Sequence, residues 1–302
     1  MQQRHRGAAG ALAFSLGVGC SATRPLAGQA PLAEVPFTLD RNGIILPALL
    51  NGRDSLRLLL DTGWGPLALV STTAERLKLR VEPGEPLRTV QVSLAVGNAV
   101  QRSPRLEVFP AHELQPLIGP YDGVLSTAFF RDLVLQVDYP RRLVRFYARS
   151  PALRADPNVI RITLPMVFSP RAGALPFTDS VRVNGHPVRA LFDTGGAGSF
   201  IVMRQLMERA GLKAASDSSV RAGIGMLSGG RMQQAPLRFT KVGRISIGAI
   251  AVDSPRVVVA PDQLEGGDWG HDLIIGTGFL RDYVVTFDYV ARSVTLERKG
   301  RP

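Results

Sequence analysis

The sequence holds a single cysteine, Cys20, in 302 residues, so no internal disulfide can form. Histidine is also scarce: there are 4, scattered, with no HExxH and no CxxC, which leaves little from which to build a zinc site. No apolar run approaches the roughly 18 residues of a membrane-spanning helix. These absences exclude a disulfide scaffold, a zinc enzyme of the common types and a polytopic membrane protein. Lysine is nearly missing too, with 4 among 36 basic residues, the rest being arginine. The net charge is +11, yet the longest arginine run is Arg141-Arg142 and no aromatic residues interleave the basic ones. Charge without a patch or motif does not mark a nucleic-acid surface, and no nucleic-acid partner is expected. What remains is the composition of a globular protein, 45% apolar and 20% charged.

The N-terminus reads as an export signal. Arg4, His5 and Arg6 form a short positive segment, Gly7 to Gly19 is weakly apolar, and the small residues Cys20 to Thr23 follow. Residues 1–30 are therefore expected to be a signal peptide, and the protein to be periplasmic or secreted. Cys20 is a lipidation candidate that would tether the mature chain to a membrane. The lipobox match is imperfect, because Gly17 stands three residues before the cysteine and Leu16 is one place early. Cleavage after Ala22 or Ala30 is the alternative.

The rest of the chain repeats itself. Leu58-Leu59-Leu60-Asp61-Thr62-Gly63 recurs as Ala190-Leu191-Phe192-Asp193-Thr194-Gly195. Each copy follows a strand-like segment after an Asn-Gly turn signal, Asn51-Gly52 and Asn184-Gly185. Thr72 and Glu75 fit a capping box ahead of a short helix in the first copy, and Met203 to Leu212 is helical in pattern in the second. Downstream, Asp122 to Asp132 aligns with Asp272 to Asp282 at a constant offset of 150, and Leu135 to Tyr139 aligns with Val285 to Tyr289. Asp138 and Asp288 read as salt-bridged structural acids beside Arg142 and Arg292. Most other segments alternate apolar and polar residues over short runs. The pattern predicts an all-β chain of two related lobes, residues 31–150 and 151–302, with few short helices.

Two Asp-Thr-Gly triplets, each after three apolar residues and each at the same place in a repeat, are not a turn-forming accident. A buried strand that ends in a carboxylate sets an acid at the edge of a core, where an unpaired charge is expensive. Two such acids brought together across a pseudo-twofold axis can share one proton, which lowers that cost.

On these residues the chain resembles the pepsin and retropepsin superfamily of aspartic peptidases, and within it the bacterial retropepsin-like proteins in which a signal sequence precedes two fused copies. The resemblance spans about residues 35–298 and rests on both Asp-Thr-Gly triplets, the short helix after each, and the segment Ile274-Ile275-Gly276. It implies two acid-protease lobes related by a pseudo-twofold axis. It also implies an aspartic endopeptidase in which Asp61 and Asp193 activate water on a peptide or protein substrate, with no metal or cofactor. Thr62 and Thr194 would reach across to the opposite loop, and Gly63 and Gly195 would let the turns tighten. Since both acids lie on one chain, a monomer suffices. The family's mobile hairpin lid finds a candidate in the second lobe, at Gly223, Gly225, Met226 and Gly229. In the first lobe Val96-Gly97-Asn98 marks a plainer hairpin. Trp64 would either line a substrate pocket or cover the core.

Three features depart from the family. Ser126 stands where the apolar-apolar-Gly segment of the first copy would have glycine. Trp64 and Gly196 follow the triplets where pepsins carry a hydroxyl that bonds the acid. The chain is strongly basic. The alternative reading is a catalytically inactive peptide-binding or interaction module of the same fold.

Overall fold

The computed structural model describes residues 30–299 except 42, 85–86, 103, 153–155, 170–172, 214–220, 225–232, 237 and 261–269. The candidate leader and Cys20 lie outside the described residues. No helix among the described residues is long and apolar enough to cross a membrane.

Each lobe is built on a hairpin that ends in its aspartate. Gly43–Leu50 pairs antiparallel with Asp54–Asp61, and Gly173–Val183 with His186–Asp193. The Asn-Gly pairs turn these hairpins because both positions need positive φ: Asn51 and Gly52 stand at 51° and 72°, Asn184 and Gly185 at 49° and 83°. Each asparagine side chain also accepts a neighbouring strand's N–H, from Ser93 at 2.9 Å and from Arg244 at 3.0 Å. Strand alternation then sorts the residues. Leu58 and Leu60 enter the main core, while Leu59 faces the other way with Asp61. Ala190 and Phe192 enter the main core in the second lobe, and Leu191 shares the other face with Asp193.

A third strand lies parallel to each aspartate strand. Gly123–Ser126 sets Ser126 opposite Asp61, and Leu273–Gly276 sets Gly276 opposite Asp193. A short strand closes the far side of each, Ala68–Val70 and Phe200–Val202. These elements belong to two nine-stranded sheets, one per lobe.

A six-stranded sheet joins the lobes, in the order Ala33–Pro36, Leu143–Tyr147, Val134–Asp138, Val284–Asp288, Ser293–Lys299, Val159–Pro165. Each half of the chain gives three of these strands. The pseudo-twofold axis passes between Gln136 and Thr286, which face each other in register, are 150 residues apart, and are joined by a bond from Gln136 Nε2 to Thr286 Oγ1 of 3.1 Å. One continuous buried cluster runs through both lobes, and two smaller ones cover the faces that carry the aspartates.

Local expectations are corrected in three places. The helix Ser71–Arg76 starts from Val70 without a side-chain cap, so the Thr72/Glu75 box does not form. Asp138 pairs with Arg141 and Arg145, both at 3.2 Å, rather than with Arg142. Asp288 takes bonds from the Ser150 hydroxyl and the Ala291 N–H, while Arg292 stands over the Phe168 ring.

Candidate active site

The two triplets meet at the axis. The Asp61 and Asp193 carboxyls face each other, each lying against the glycine of the opposite triplet. They are held there by the threonines. Thr62 Oγ1 donates to Phe192 O at 2.8 Å and Thr194 Oγ1 donates to Leu60 O at 2.9 Å. Each hydroxyl in turn accepts the other threonine's N–H at 3.0 Å. Both threonines are wholly buried, and these four bonds satisfy both of their hydroxyls and both of their N–H groups.

The glycines set how close the loops come. A Cβ on Gly63 would lie 2.6 Å from Asp193 Cγ, and one on Gly195 would lie 2.3 Å from Asp61 Oδ2. Any side chain at either position would push the acids apart. Inside each loop the acid is oriented by backbone donors. Gly63 N–H reaches Asp61 Oδ1 at 2.7 Å, and Gly195 and Gly196 N–H reach Asp193 Oδ1 at 2.8 and 3.0 Å. In the second lobe the Gly196 N–H thus reaches the acid from the residue where the sequence lacks a hydroxyl side chain.

Burial pushes both carboxyls above the ordinary carboxylate range. For Asp61, carried well above it, the neighbouring Asp193 charge adds to the effect; the backbone donors pull the other way at both sites. The first proton is held by the pair, because two anions at this separation repel.

Ser126 is accommodated. Its side chain is wholly buried and Oγ donates to Gly65 O at 2.9 Å. Trp64 packs edge-on to Phe109 at 5.6 Å, against the apolar cluster of Leu59, Val124 and Tyr121 on the acid-bearing face. Its indole nitrogen is buried with no hydrogen-bond partner among the described residues.

Of the lid candidates, Gly223 lies on the strand Arg221–Ile224, which pairs with Gln233–Pro236 and sits opposite Gln234. Gly225, Met226 and Gly229 lie outside the described residues. The hairpin's first strand lies against the helix Ala111–Ile118 of the first lobe. That helix was not foreseen, since Pro116 sits inside it and proline ordinarily argues against a helix interior. The hairpin Leu94–Val96 to Ala99–Gln101 is no lid: Leu94, Val96 and Ala99 are buried, and Gly97 abuts Val35 of the central sheet.

Residues 180–279 match the family model Asp_protease_2, aspartyl protease. No curated protein matches the chain. Among solved structures, the aspartic proteinase from Irpex lacteus superposes with a TM-score of 0.51 at 12% identity, over 88% of this chain and 97% of that one. The chain therefore has the two-lobed aspartic-proteinase fold, and its second lobe carries the match to the aspartyl-protease family.

Proposed function

We propose that the protein is an aspartic endopeptidase that hydrolyses peptide bonds between Asp61 and Asp193. The observation that carries this reading is the juxtaposed pair of half-buried carboxyls, one from each lobe, each packed against the other's glycine and braced by reciprocal threonine bonds. A pair with one proton offers both functions at once. The ionised carboxylate takes a proton from water as that water attacks the scissile carbonyl carbon. The protonated carboxyl donates to the carbonyl oxygen, giving a neutral tetrahedral diol. Collapse of the diol returns a proton to the departing amine and leaves the acid and base as they began. The leader-like residues 1–30 support an exported protein, and Cys20 a lipid tether.

The test is cleavage of a mixed peptide library from about pH 3 to about pH 8, with Asp193→Asn alongside. Hydrolysis by the wild type and none by the variant supports the dyad. Equal hydrolysis by both, or silence from a correctly folded wild type, overturns it, and silence would leave a peptide-binding module.

A further inference from the structure

The central sheet delivers two tyrosines to the short helices that back the aspartate loops. Tyr139 follows Val134–Asp138 and Tyr289 follows Val284–Asp288, 150 residues on, so they are equivalents under the pseudo-twofold axis. These two strands are antiparallel, with Asp138 opposite Val284 and Asp288 opposite Val134. Each tyrosine is therefore carried out of its own lobe to the start of the other lobe's strand. Just before that start stands the short helix that backs the other lobe's aspartate loop. For Tyr289 this is Thr127–Phe130, whose Thr127 and Ala128 N–H groups bond Trp64 O and Gly65 O at 3.1 Å, and the Tyr289 and Phe130 rings are 5.5 Å apart. For Tyr139 it is Thr277–Leu280, whose Thr277 hydroxyl faces the phenol and donates to Thr194 O at 3.0 Å.

Both tyrosines are 3% exposed with buried hydroxyl oxygens; that of Tyr289 has no hydrogen-bond partner among the described residues, and that of Tyr139 has only the Thr277 hydroxyl beside it, short of full hydrogen-bond geometry. Packing alone does not call for such groups. The rings around them are Phe37, Phe130, Phe168 and Phe287, and phenylalanine would fill either place without burying an oxygen. The fields that reach the phenols are crossed: Tyr139 feels the charge of Asp193, and Tyr289 feels that of Asp61. Burial and these charges push both phenols up, so both stay neutral. A neutral hydroxyl can still turn its hydrogen toward an anion.

We propose that Tyr139 and Tyr289 are positioning residues for the dyad, each placing a phenol dipole beneath the acid of the opposite lobe and stabilising its ionised form. The proposal rests on the peptidase reading for its purpose, but not for its test. Tyr139→Phe, Tyr289→Phe and the double variant keep the rings and remove the dipoles. The dyad would be titrated by carbon NMR of aspartate-labelled protein, its signals assigned with Asp61→Asn, and the pH profile of kcat/KM recorded in parallel. Each single variant is expected to raise the dyad's proton affinity roughly three- to tenfold, the double variant more than either, with melting temperature little changed. Unmoved titration in folded variants would overturn the inference. Should a variant fail to fold, fluorotyrosine across the 5 tyrosines keeps shape and hydroxyl while strengthening the dipole. The dyad's affinity should then fall, and a constant value would again overturn the inference. A titration that moves in a protein that cuts nothing would sustain this inference and sink the peptidase reading. Peptide cleavage with an unmoved titration would do the reverse.

Discussion

The two aspartate loops are alike through the glycine of the triplet and part ways after it. In the second lobe the chain runs Gly196-Ala197-Gly198 and presses onto Gly276. A Cβ there would lie 2.3 Å from Gly198 O and 2.5 Å from Gly196 O, so nothing larger than glycine fits. In the first lobe the chain runs Trp64-Gly65-Pro66, and the residue opposite the acid is a serine whose hydroxyl bonds Gly65 O. Both loops span seven residues from the aspartate to the next strand. The difference is therefore one of path, not of length. One lobe closes its loop by contact of backbones, the other by a side-chain hydrogen bond. A serine that looks like damage in the sequence is a second solution to the same packing problem.

The sharpest way to break this comparison is to give the second lobe the first lobe's residue. Gly276→Ser must move two backbone carbonyls that are themselves fixed, Gly196 O by the Thr277 N–H at 2.7 Å and Gly198 O by the Gly278 N–H at 3.2 Å. Overpacking against backbone has no cheap relaxation, and we expect no folded protein, read as loss of a cooperative melt. A variant that melts like the wild type would show that the two loops are interchangeable after all.

Next in size come the threonines, where the lobes should behave alike because their bonds are reciprocal. Thr62→Val or Thr194→Val leaves an opposite N–H and an opposite carbonyl unpaired in a dry core, at a cost of about 4 kcal/mol for either. Denaturant titration of both variants checks this. Costs that differ by more than about 1 kcal/mol would show that one loop carries the other.

The lobes differ again at the residue before the Asp122 and Asp272 pair. Tyr121 in the first lobe gives its hydroxyl to Asp40 at 2.5 Å, whereas His271 in the second is buried beside Phe177, with ring centres 5.9 Å apart. Burial lowers the His271 pKa from 6.5 to about 4, with Asp272 opposing. The unfolded chain then binds a proton in a pH window where the folded one does not. This contribution is fully present above pH 6.5 and is lost as pH falls through about 4, about 3 kcal/mol in all. The dyad has the opposite sign. Its raised carboxyls hold protons that the unfolded chain has released, so it loses stability as pH rises. Comparing wild type with His271→Phe from about pH 7 to pH 4 isolates the histidine: the wild type should lose stability relative to the variant on acidification. Parallel curves would place the imidazole in water.

Much of this molecule was legible in the sequence, because glycine and asparagine at turns and apolar runs before an acid have few structural meanings. Asn51-Gly52 and Asn184-Gly185 announced their hairpins through positive φ, and the two copies of Leu-Leu-Leu-Asp and Ala-Leu-Phe-Asp announced buried strands. What stayed hidden was set by partners distant in sequence. The capping box at Thr72 lost to Val70, and the Ser71 hydroxyl there accepts the Ala111 N–H at 3.2 Å instead. Helix Ala111–Ile118 formed despite Pro116, with Leu114 and Ile118 buried on the apolar face that also carries Trp64. The crossing of Tyr139 and Tyr289 depends on the register of the central sheet, which no local pattern specifies. The missing hydroxyls after each triplet were visible, but not the Gly196 N–H that reaches Asp193.

The smallest predicted effect probes the first lobe's solution directly. Ser126→Gly makes the first lobe's residue that of the second. The loop gains nothing from the lost volume, because the carbonyl of Gly65 also accepts from the Ala128 N–H at 3.1 Å and the Thr127 hydroxyl at 3.2 Å. Its position is thus held without the serine. The cost should be one hydrogen bond plus the added freedom of a glycine in the unfolded chain, about 1–2 kcal/mol. The dyad geometry, fixed by Thr62 and Gly63 upstream, should not change, so kcat/KM and its pH profile should stay at wild-type values while the melting temperature drops by a few degrees. A variant with wild-type stability and altered kcat/KM would reverse the assignment, making Ser126 part of the acid's own environment rather than the brace of its loop.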